Sequence, residues 1–263
     1  MQSKSLSGKN ILVTRPIYQS PELCRPLEEL GAHTISIPLI RIVEPRSWNA
    51  FDNAVRQLDS YDWLIFASAN AIKATMQRMQ KLELKINTGK PKVACIGTAT
   101  AKALSAYGIA CDFTPEKFVA ESFIEQFPQT ESANARALWP KTNIGRMLIK
   151  EELEKAGWKV DAVDSYNTLG PEDLIETGTS ILQLLQQDQI DAITLSSSET
   201  ARNLKAALLA AHADVDSSLR KVKLVVIGSS TEKTCIEIFG RCDSCAQTFN
   251  TDGLVEAVIQ ALT

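Results

Sequence analysis

A strand-turn-helix signal recurs six times in this chain, as an ordered set of three that is seen before residue 131 and again after it. The first member reads ILVTRP and then LEELGAHTISI, and returns as ALWPK and LEKAGWKVDAV. The second reads DWLIFASANA and returns as DAITLSSSETA. The third reads VACIGTATAKAL and returns as LVVIGSSTEKTC. The spacing is nearly constant: Gly31 and Gly157 lie 126 residues apart, Ser68 and Ser197 129, Gly97 and Gly228 131. Short apolar strands that alternate with helices pair in parallel and carry helices on both sheet faces. Each break after a strand is rich in Ser, Thr, Asn, Gly or Arg, and that is where α/β proteins hold ligands.

The pattern along each copy fits this reading. Ile11 to Val13 is a buried-strand run, and Pro16 or Pro21 opens the helix after it. Leu23, Leu27 and Leu30 give that helix an apolar stripe, and Gly31 closes it in a left-handed conformation. Further strands are expected at 62–66, 92–96, 191–195 and 223–227. Two extended segments ending in Pro, PLIRIVEP at 38–45 and VDSYNTLGP at 163–171, interrupt the rhythm at equivalent places. They are the candidates for a connection between domains.

Length and composition narrow the function. At 263 residues the chain suits two ordinary domains. A net charge of −3 gives no basic face for nucleic acid, and no stretch approaches the ~18 apolar residues of a membrane span. The polar start, MQSKSLSGKN, lacks the apolar core of a signal peptide, so a cytoplasmic location is expected. Six scattered cysteines fit a reducing compartment, where they pack as small hydrophobes. Cys242 and Cys245 form one C-x-x-C. Aligning YGIACDF with FGRCDSC puts Ala110 and Phe113 opposite them, which favours packing over a redox or metal role.

The turns carry the chemistry. They are Thr14-Arg15-Pro16, Ser68-Ala69-Asn70, Gly97-Thr98-Ala99-Thr100, Lys141-Thr142-Asn143, Ser196-Ser197-Ser198 and Gly228-Ser229-Ser230-Thr231. Any single Ser or Thr there serves first as a helix cap. Together, helix N-termini facing one cleft would make a receptor for many anionic groups, with Arg15 and Lys141 adding matched positive charge. The dinucleotide and P-loop glycine motifs are missing, and so is any cluster with metal-ligand spacing. His33 and His212 lie far from the turns, which excludes a Ser-His-Asp arrangement. No cofactor and no metal are expected. An enzyme here would work with hydroxyls, backbone donors and a few cations on a substrate already reactive.

These residues resemble the uroporphyrinogen-III synthase family. The matching elements are TRP after the first strand, D-W-L-I-F-A-S-A-N-A, I-G-x-x-T-A at 96–101 and I-G-x-x-T at 227–231. To them add G-R-x-x-L at 145–149, G-x-x-V-D-x-V-x-x-Y at 157–166 and T-x-x-x-L near Thr251. The last departs from its pattern, because Val255 stands at its fifth position. Each motif alone is weak; their order over the whole chain is fairly specific. The resemblance implies two doubly wound α/β domains with parallel sheets, joined by a two-stranded β-ladder. One domain would comprise 1–37 plus 172–263, the other 46–162, with 38–45 and 163–171 as the ladder. Periodicity alone would equally allow a simple split near 131.

The resemblance also implies a hydro-lyase that cyclises the linear tetrapyrrole hydroxymethylbilane to uroporphyrinogen III. Water is lost and the last ring is inverted through a spiro intermediate. The substrate carries eight carboxylates. Tyr166 matches the family's tyrosine and would donate a proton to the departing hydroxyl. Ser68, Ala69, Asn70, Thr98, Thr100, Ser197, Ser198, Ser229 and Thr231 would contact substrate, partly through backbone N–H groups. Arg15, Lys141 and Asn143 would bind carboxylates. Glu199, where the first copy has Asn70, would repel an anion or point away. The expected partners are the tetrapyrrole and the preceding enzyme that makes it, and the chain would be a monomer. The alternatives are a two-domain binding protein for an anionic metabolite, in which Tyr166 is dispensable, and a sugar-nucleotide transferase, which the missing phosphate motifs disfavour.

Overall fold

The structure is a computed structural model that describes residues 5–86, 90–130, 132, 134–145 and 147–263. Its strands in chain order are β1 (Asn10–Val13), β2 (His33–Ser36), β3 (Arg41–Val43), β4 (Trp63–Phe66) and β5 (Lys92–Cys95). They continue as β6 (Arg136–Thr142), β7 (Lys159–Leu169), β8 (Ala192–Leu195), β9 (Lys223–Val226) and β10 (Ser244–Cys245). They form two sheets, ordered β10-β9-β8-β1-β2 and β3-β7-β6-β4-β5. The pairings of β1 with β2 and β8, of β8 with β9, and of β4 with β5 and β6 are parallel, as the strand-helix alternation predicts.

The chain divides into two compact units, Met1–Arg41 with Leu169–Thr263, and Ile42–Thr168. Neither half of the sequence repeat is therefore a unit. In the first unit β1 lies between β2 and β8, with Ile11 opposite both Thr34 and Ala192. In the second β6 lies between β7 and β4, with Ala137 opposite both Val160 and Trp63. Each unit thus takes the first member of the signal from one copy and the other two from the other copy.

Strand alternation places the cores. In the first unit Leu12, Ile193, Leu195, Leu224 and Val226 point to one face, under the helices Leu174–Gln186 and Ser198–Ala210. Ile11, Val13, Ala192 and Val225 point to the other, under Ser20–Glu29 and Thr251–Leu262. The second unit repeats this. Leu64, Phe66, Val93 and Cys95 face one side, and Trp63, Ile65, Ala94, Ile96 and Trp139 the other. Burying each large apolar side chain contributes about 1.5–3 kcal/mol. Both sheet faces are covered, which is the doubly wound arrangement.

Local details refine the expected turns. Pro21, not Pro16, stands within the first turn of its helix, Ser20–Glu29, and Gly31 follows at φ +94°. Helices begin directly after β4, β5, β8 and β9, at Ala69, Thr98, Ser198 and Ser229. They do not begin directly after the other two turns. Lys141 and Thr142 still belong to β6, and the next helix starts at Leu148; after β1 the next helix starts at Ser20. Arg15 therefore stands on a connecting loop and Lys141 near the end of a strand, neither at a helix N-terminus.

The cysteine alignment is corrected by one residue. Asp112 Oδ2 accepts from Val93 N at 2.7 Å, and Asp243 Oδ2 accepts from Leu224 N at 2.8 Å. These contacts make Cys111 the counterpart of Cys242, not Ala110. Each thiol donates to a carbonyl two residues on, Phe113 O at 3.2 Å and Ser244 O at 3.4 Å. In both copies the Cys-Asp pair ties its segment to the same position of the neighbouring strand, at Val93 and at Leu224.

Candidate active site

The second unit gathers a tyrosine, a serine and a lysine at the C-terminal ends of β4 and β6. Ser68 caps the helix Ala69–Lys81, its Oγ accepting from Ala71 N at 3.2 Å. The same oxygen lies 3.0 Å from the Tyr166 hydroxyl. Tyr166 sits on β7 and is 7% exposed. Its direction depends on an irregularity. Lys141 pairs with Asp164 but Thr142 pairs with Tyr166, so β7 carries one extra residue, Ser165. Strict alternation would turn Tyr166 away from the face that Val163 occupies; the extra residue returns it to that face, and both join one apolar cluster. The Ser165 hydroxyl donates to Lys141 O at 3.3 Å and holds the bulge.

Burial pushes the Tyr166 phenol above its usual pKa, while hydrogen bonds with Ser68 and Thr142 pull the other way. The group therefore remains a proton donor at neutral pH. A pocket of about 270 Å³ lies here, walled by Ala67, Ala71, Ile96, Ala120, Ile144 and Ile149. Ser68, Trp139, Lys141, Thr142 and Tyr166 also line it.

Lys141 does not project a free charge. Its Nζ donates to Asp164 Oδ1 at 2.8 Å and to Thr142 O at 2.9 Å, with the side chain 16% exposed. Sequence reading missed Asp164, although V-D-S-Y places an acid two residues before the tyrosine. Asn143 is exposed, and its Oδ1 accepts from Thr168 N at 2.8 Å and from Thr142 Oγ1 at 3.1 Å. It braces the end of β7. Thr98 and Ala69 are exposed in the first turns of their helices, Asn70 is half-buried, and Thr100 is buried. Arg146, within the G-R-x-x-L motif, lies outside the described residues.

The first unit presents the matching turns. Ser197 caps the helix Ser198–Ala210, accepting from Thr200 N at 3.2 Å, while Thr200 Oγ1 accepts from Ser197 N at 3.1 Å. Replacing Ser197 with Ala is expected to cost about 1 kcal/mol, read as a lower denaturation midpoint in urea. Ser198 Oγ donates to Ser230 O at 3.2 Å and accepts from Thr234 Oγ1 at 2.8 Å, which ties two helices together. Ser229 is exposed and Thr231 buried. Glu199 forms an ion pair with Arg202 along its own helix, so its charge is neutralised there.

Arg15 is 7% exposed and donates to Thr251 Oγ1 at 3.1 Å. Desolvation lowers its pKa, and Glu22 opposes the shift. A guanidinium nevertheless stays charged. In both units an exposed phenylalanine lies against the glycine that opens the third helix. A Cβ on Gly97 would meet Phe118 at 3.4 Å, and one on Gly228 would meet Phe249 at 3.0 Å. Among the described residues no group of three or more His, Cys, Asp or Glu is placed to hold a metal ion, and no helix is long and apolar enough to cross a membrane.

Comparisons with known proteins agree with the motif order. A family model described as uroporphyrinogen-III synthase HemD matches residues 21–256. A uroporphyrinogen-III synthase of Synechococcus elongatus is 36% identical over 263 residues, covering 99% of this chain and 98% of that one. A putative uroporphyrinogen-III synthase of Methanocaldococcus jannaschii is 26% identical over 94% of this chain and 97% of its own. Among solved structures, a uroporphyrinogen III synthase of Thermus thermophilus superposes with a TM-score of 0.69 at 16% identity, covering 97% of this chain and 99% of that one. The Helicobacter pylori uroporphyrinogen-III synthetase gives 0.54 at 13% identity, with 96% and 99% covered. The two solved structures speak to the fold. These matches favour the synthase over a binding protein without catalysis. With the family model spanning most of the sequence and a relative above 30% identity along its full length, the chain belongs to the uroporphyrinogen-III synthase family.

Proposed function

We propose that this protein is a hydro-lyase that cyclises hydroxymethylbilane to uroporphyrinogen III, acting as a cytoplasmic monomer without a cofactor. The observation that carries the mechanism is the buried Tyr166 hydroxyl, 3.0 Å from Ser68 Oγ at the mouth of an apolar pocket. The phenol donates its proton to the substrate's terminal hydroxyl, which leaves as water. The electrophilic azafulvenium cation that remains is attacked by the substituted carbon of the last pyrrole, giving the spiro intermediate. Fragmentation and reclosure at the other carbon invert that ring. The proton lost as the ring regains aromaticity returns to the phenolate, so the enzyme ends unchanged.

The eight carboxylates suit the first turns at Ala69, Thr98 and Ser229, which are exposed, and at Ser198, which is half-buried; their backbone N–H groups and positive dipole ends favour anions. Thr100 and Thr231, being buried, would contribute backbone rather than hydroxyl contacts. Arg15 supplies charge, with Asn143 as a further carboxylate contact. Lys141, committed to Asp164, would act on substrate only in exchange for that partner. Handover from the preceding enzyme would shorten exposure of an unstable substrate. The test supplies hydroxymethylbilane and separates the product isomers. Uroporphyrinogen III in large excess supports the reading; only the uninverted isomer at the spontaneous rate refutes it.

A further inference from the structure

Two exposed phenylalanines recur at one place in the two copies. Phe118 and Phe249 lie 131 residues apart, the spacing that also separates Gly97 from Gly228. They are 42% and 45% exposed. A lone exposed phenylalanine means little, since scattered apolar surface residues are normal. Here the same residue is exposed to the same degree in both units. Each also stands directly before a helix N-cap, Phe118 before Val119 and Phe249 before Asn250. Neither ring pairs with another aromatic ring among the described residues, whereas Phe113, Phe123 and Phe127 contact one another.

The glycines show how the rings sit. A Cβ on Gly228 would meet Phe249 Cδ1 at 3.0 Å, Cγ at 3.3 Å and Cε1 at 3.4 Å, the pattern of an atom above the ring plane rather than beside it. One face of that ring therefore rests on bare backbone, and the exposed face is the other. A Cβ on Gly97 would meet Phe118 at its root, Cβ at 3.4 Å and Cγ at 3.7 Å. The helices opened by these glycines, Thr98–Ser105 and Ser229–Phe239, have no side-chain cap, unlike those that Ser68 and Ser197 cap. Two residues past Phe249, Thr251 Oγ1 accepts from Arg15, a guanidinium that makes no ion pair among the described residues. An apolar ring face beside uncapped amides and an unpaired cation fits a flat ring with carboxylates on its rim. A pyrrole of the tetrapyrrole, with two carboxylates on each ring, has that chemistry.

We infer that Phe118 and Phe249 are substrate-contact residues, each offering a ring face to one pyrrole ring of the bound tetrapyrrole. This rests on the tetrapyrrole reading above. The contact fixes the plane of that pyrrole while its carboxylates reach the first-turn amides beside it. The amides alone would hold the acid arms and leave the ring free to turn about its linking bonds.

The test is Phe249→Leu and Phe118→Leu, which keep apolar bulk and remove the ring, with Phe249→Tyr and Phe118→Tyr as rescues. Wild-type production of uroporphyrinogen III secures the activity independently; its failure would defeat the function and not this contact alone. Each leucine variant is expected to raise the KM for hydroxymethylbilane about fivefold, the loss of one ring–ring contact, with kcat within about twofold. Each tyrosine variant keeps KM within about twofold of wild type. Tyr107→Leu is the control. Tyr107 is also 45% exposed but lies past the other end of the helix Thr98–Ser105, and its KM should not change. An unchanged KM in either leucine variant overturns the contact at that residue, and an equal rise in the control overturns both. A second measurement does not depend on a variant folding. Wild type with ¹³C-labelled phenylalanine rings is titrated with uroporphyrinogen III. The two ring signals that a soluble paramagnetic agent broadens most should move upfield as pyrrole faces cover them; no such movement overturns the inference.

Discussion

Tyr166→Phe is expected to lower kcat about 100-fold, the smaller end of what a positioned proton donor contributes, with KM little changed. The ring stays in its apolar cluster, and Ser68 keeps its bond from Ala71 N, so the fold loses about 1 kcal/mol or less. Slower capture of the substrate leaves more of it to close spontaneously, so the uninverted isomer rises in the product mixture. The pH dependence adds a second reading. Burial raises the phenol's pKa, so wild-type activity shows no loss from tyrosine ionisation below its ordinary value of about 10. For the fold the sign is the same. The native state holds this proton more tightly than the unfolded chain, so the contribution is complete below pH ~10 and is lost above it. An unchanged kcat in the variant would remove the proton-donor role and leave Tyr166 as packing.

The parallel α/β architecture was legible because it rests on local signals. Apolar strands, Ser68 and Ser197 as caps and Gly31 past a helix end each act through their own neighbours. The pairing of β1 with β8 depends on contacts some 180 residues apart, such as Thr14 Oγ1 donating to Thr194 O at 2.6 Å, and no periodicity encodes that choice. The site was legible as a set of turns and not as geometry. Val163 and Tyr166, three residues apart, read as opposite faces of a strand, and only the extra residue Ser165 puts them on one. Arg15 and Lys141 read as free cations because their partners, Thr251 and Asp164, are brought to them by folding.

The largest loss of stability is expected from Gly178→Ala. Gly178 lies inside the helix Leu174–Gln186, where alanine would ordinarily gain about 1 kcal/mol over glycine. Here the gain is overwhelmed. A Cβ on Gly178 would stand 1.9 Å from Ala207 O, 2.5 Å from Ala207 C and 3.1 Å from Ala211 Cβ. The nearest obstacle is backbone of the helix Ser198–Ala210, which cannot swing aside as a side chain would. The two helices must separate, and the Leu204–Leu208 side of the core opens with them. Overpacking against backbone sets the net loss at about 3 kcal/mol, which lowers the melting temperature of a chain this long by about 6–12 °C. Gly170→Ala is the control. Its Cβ would meet the Asn203 side chain at 3.6 Å and beyond, an ordinary contact, so its stability should move by less than about 0.5 kcal/mol. The helix displaced by the first substitution begins at Ser198, directly after the Ser197 cap, so substrate affinity should fall at temperatures where the fold is still intact. Equal melting temperatures for the two variants would mean that the helices do not approach through Gly178.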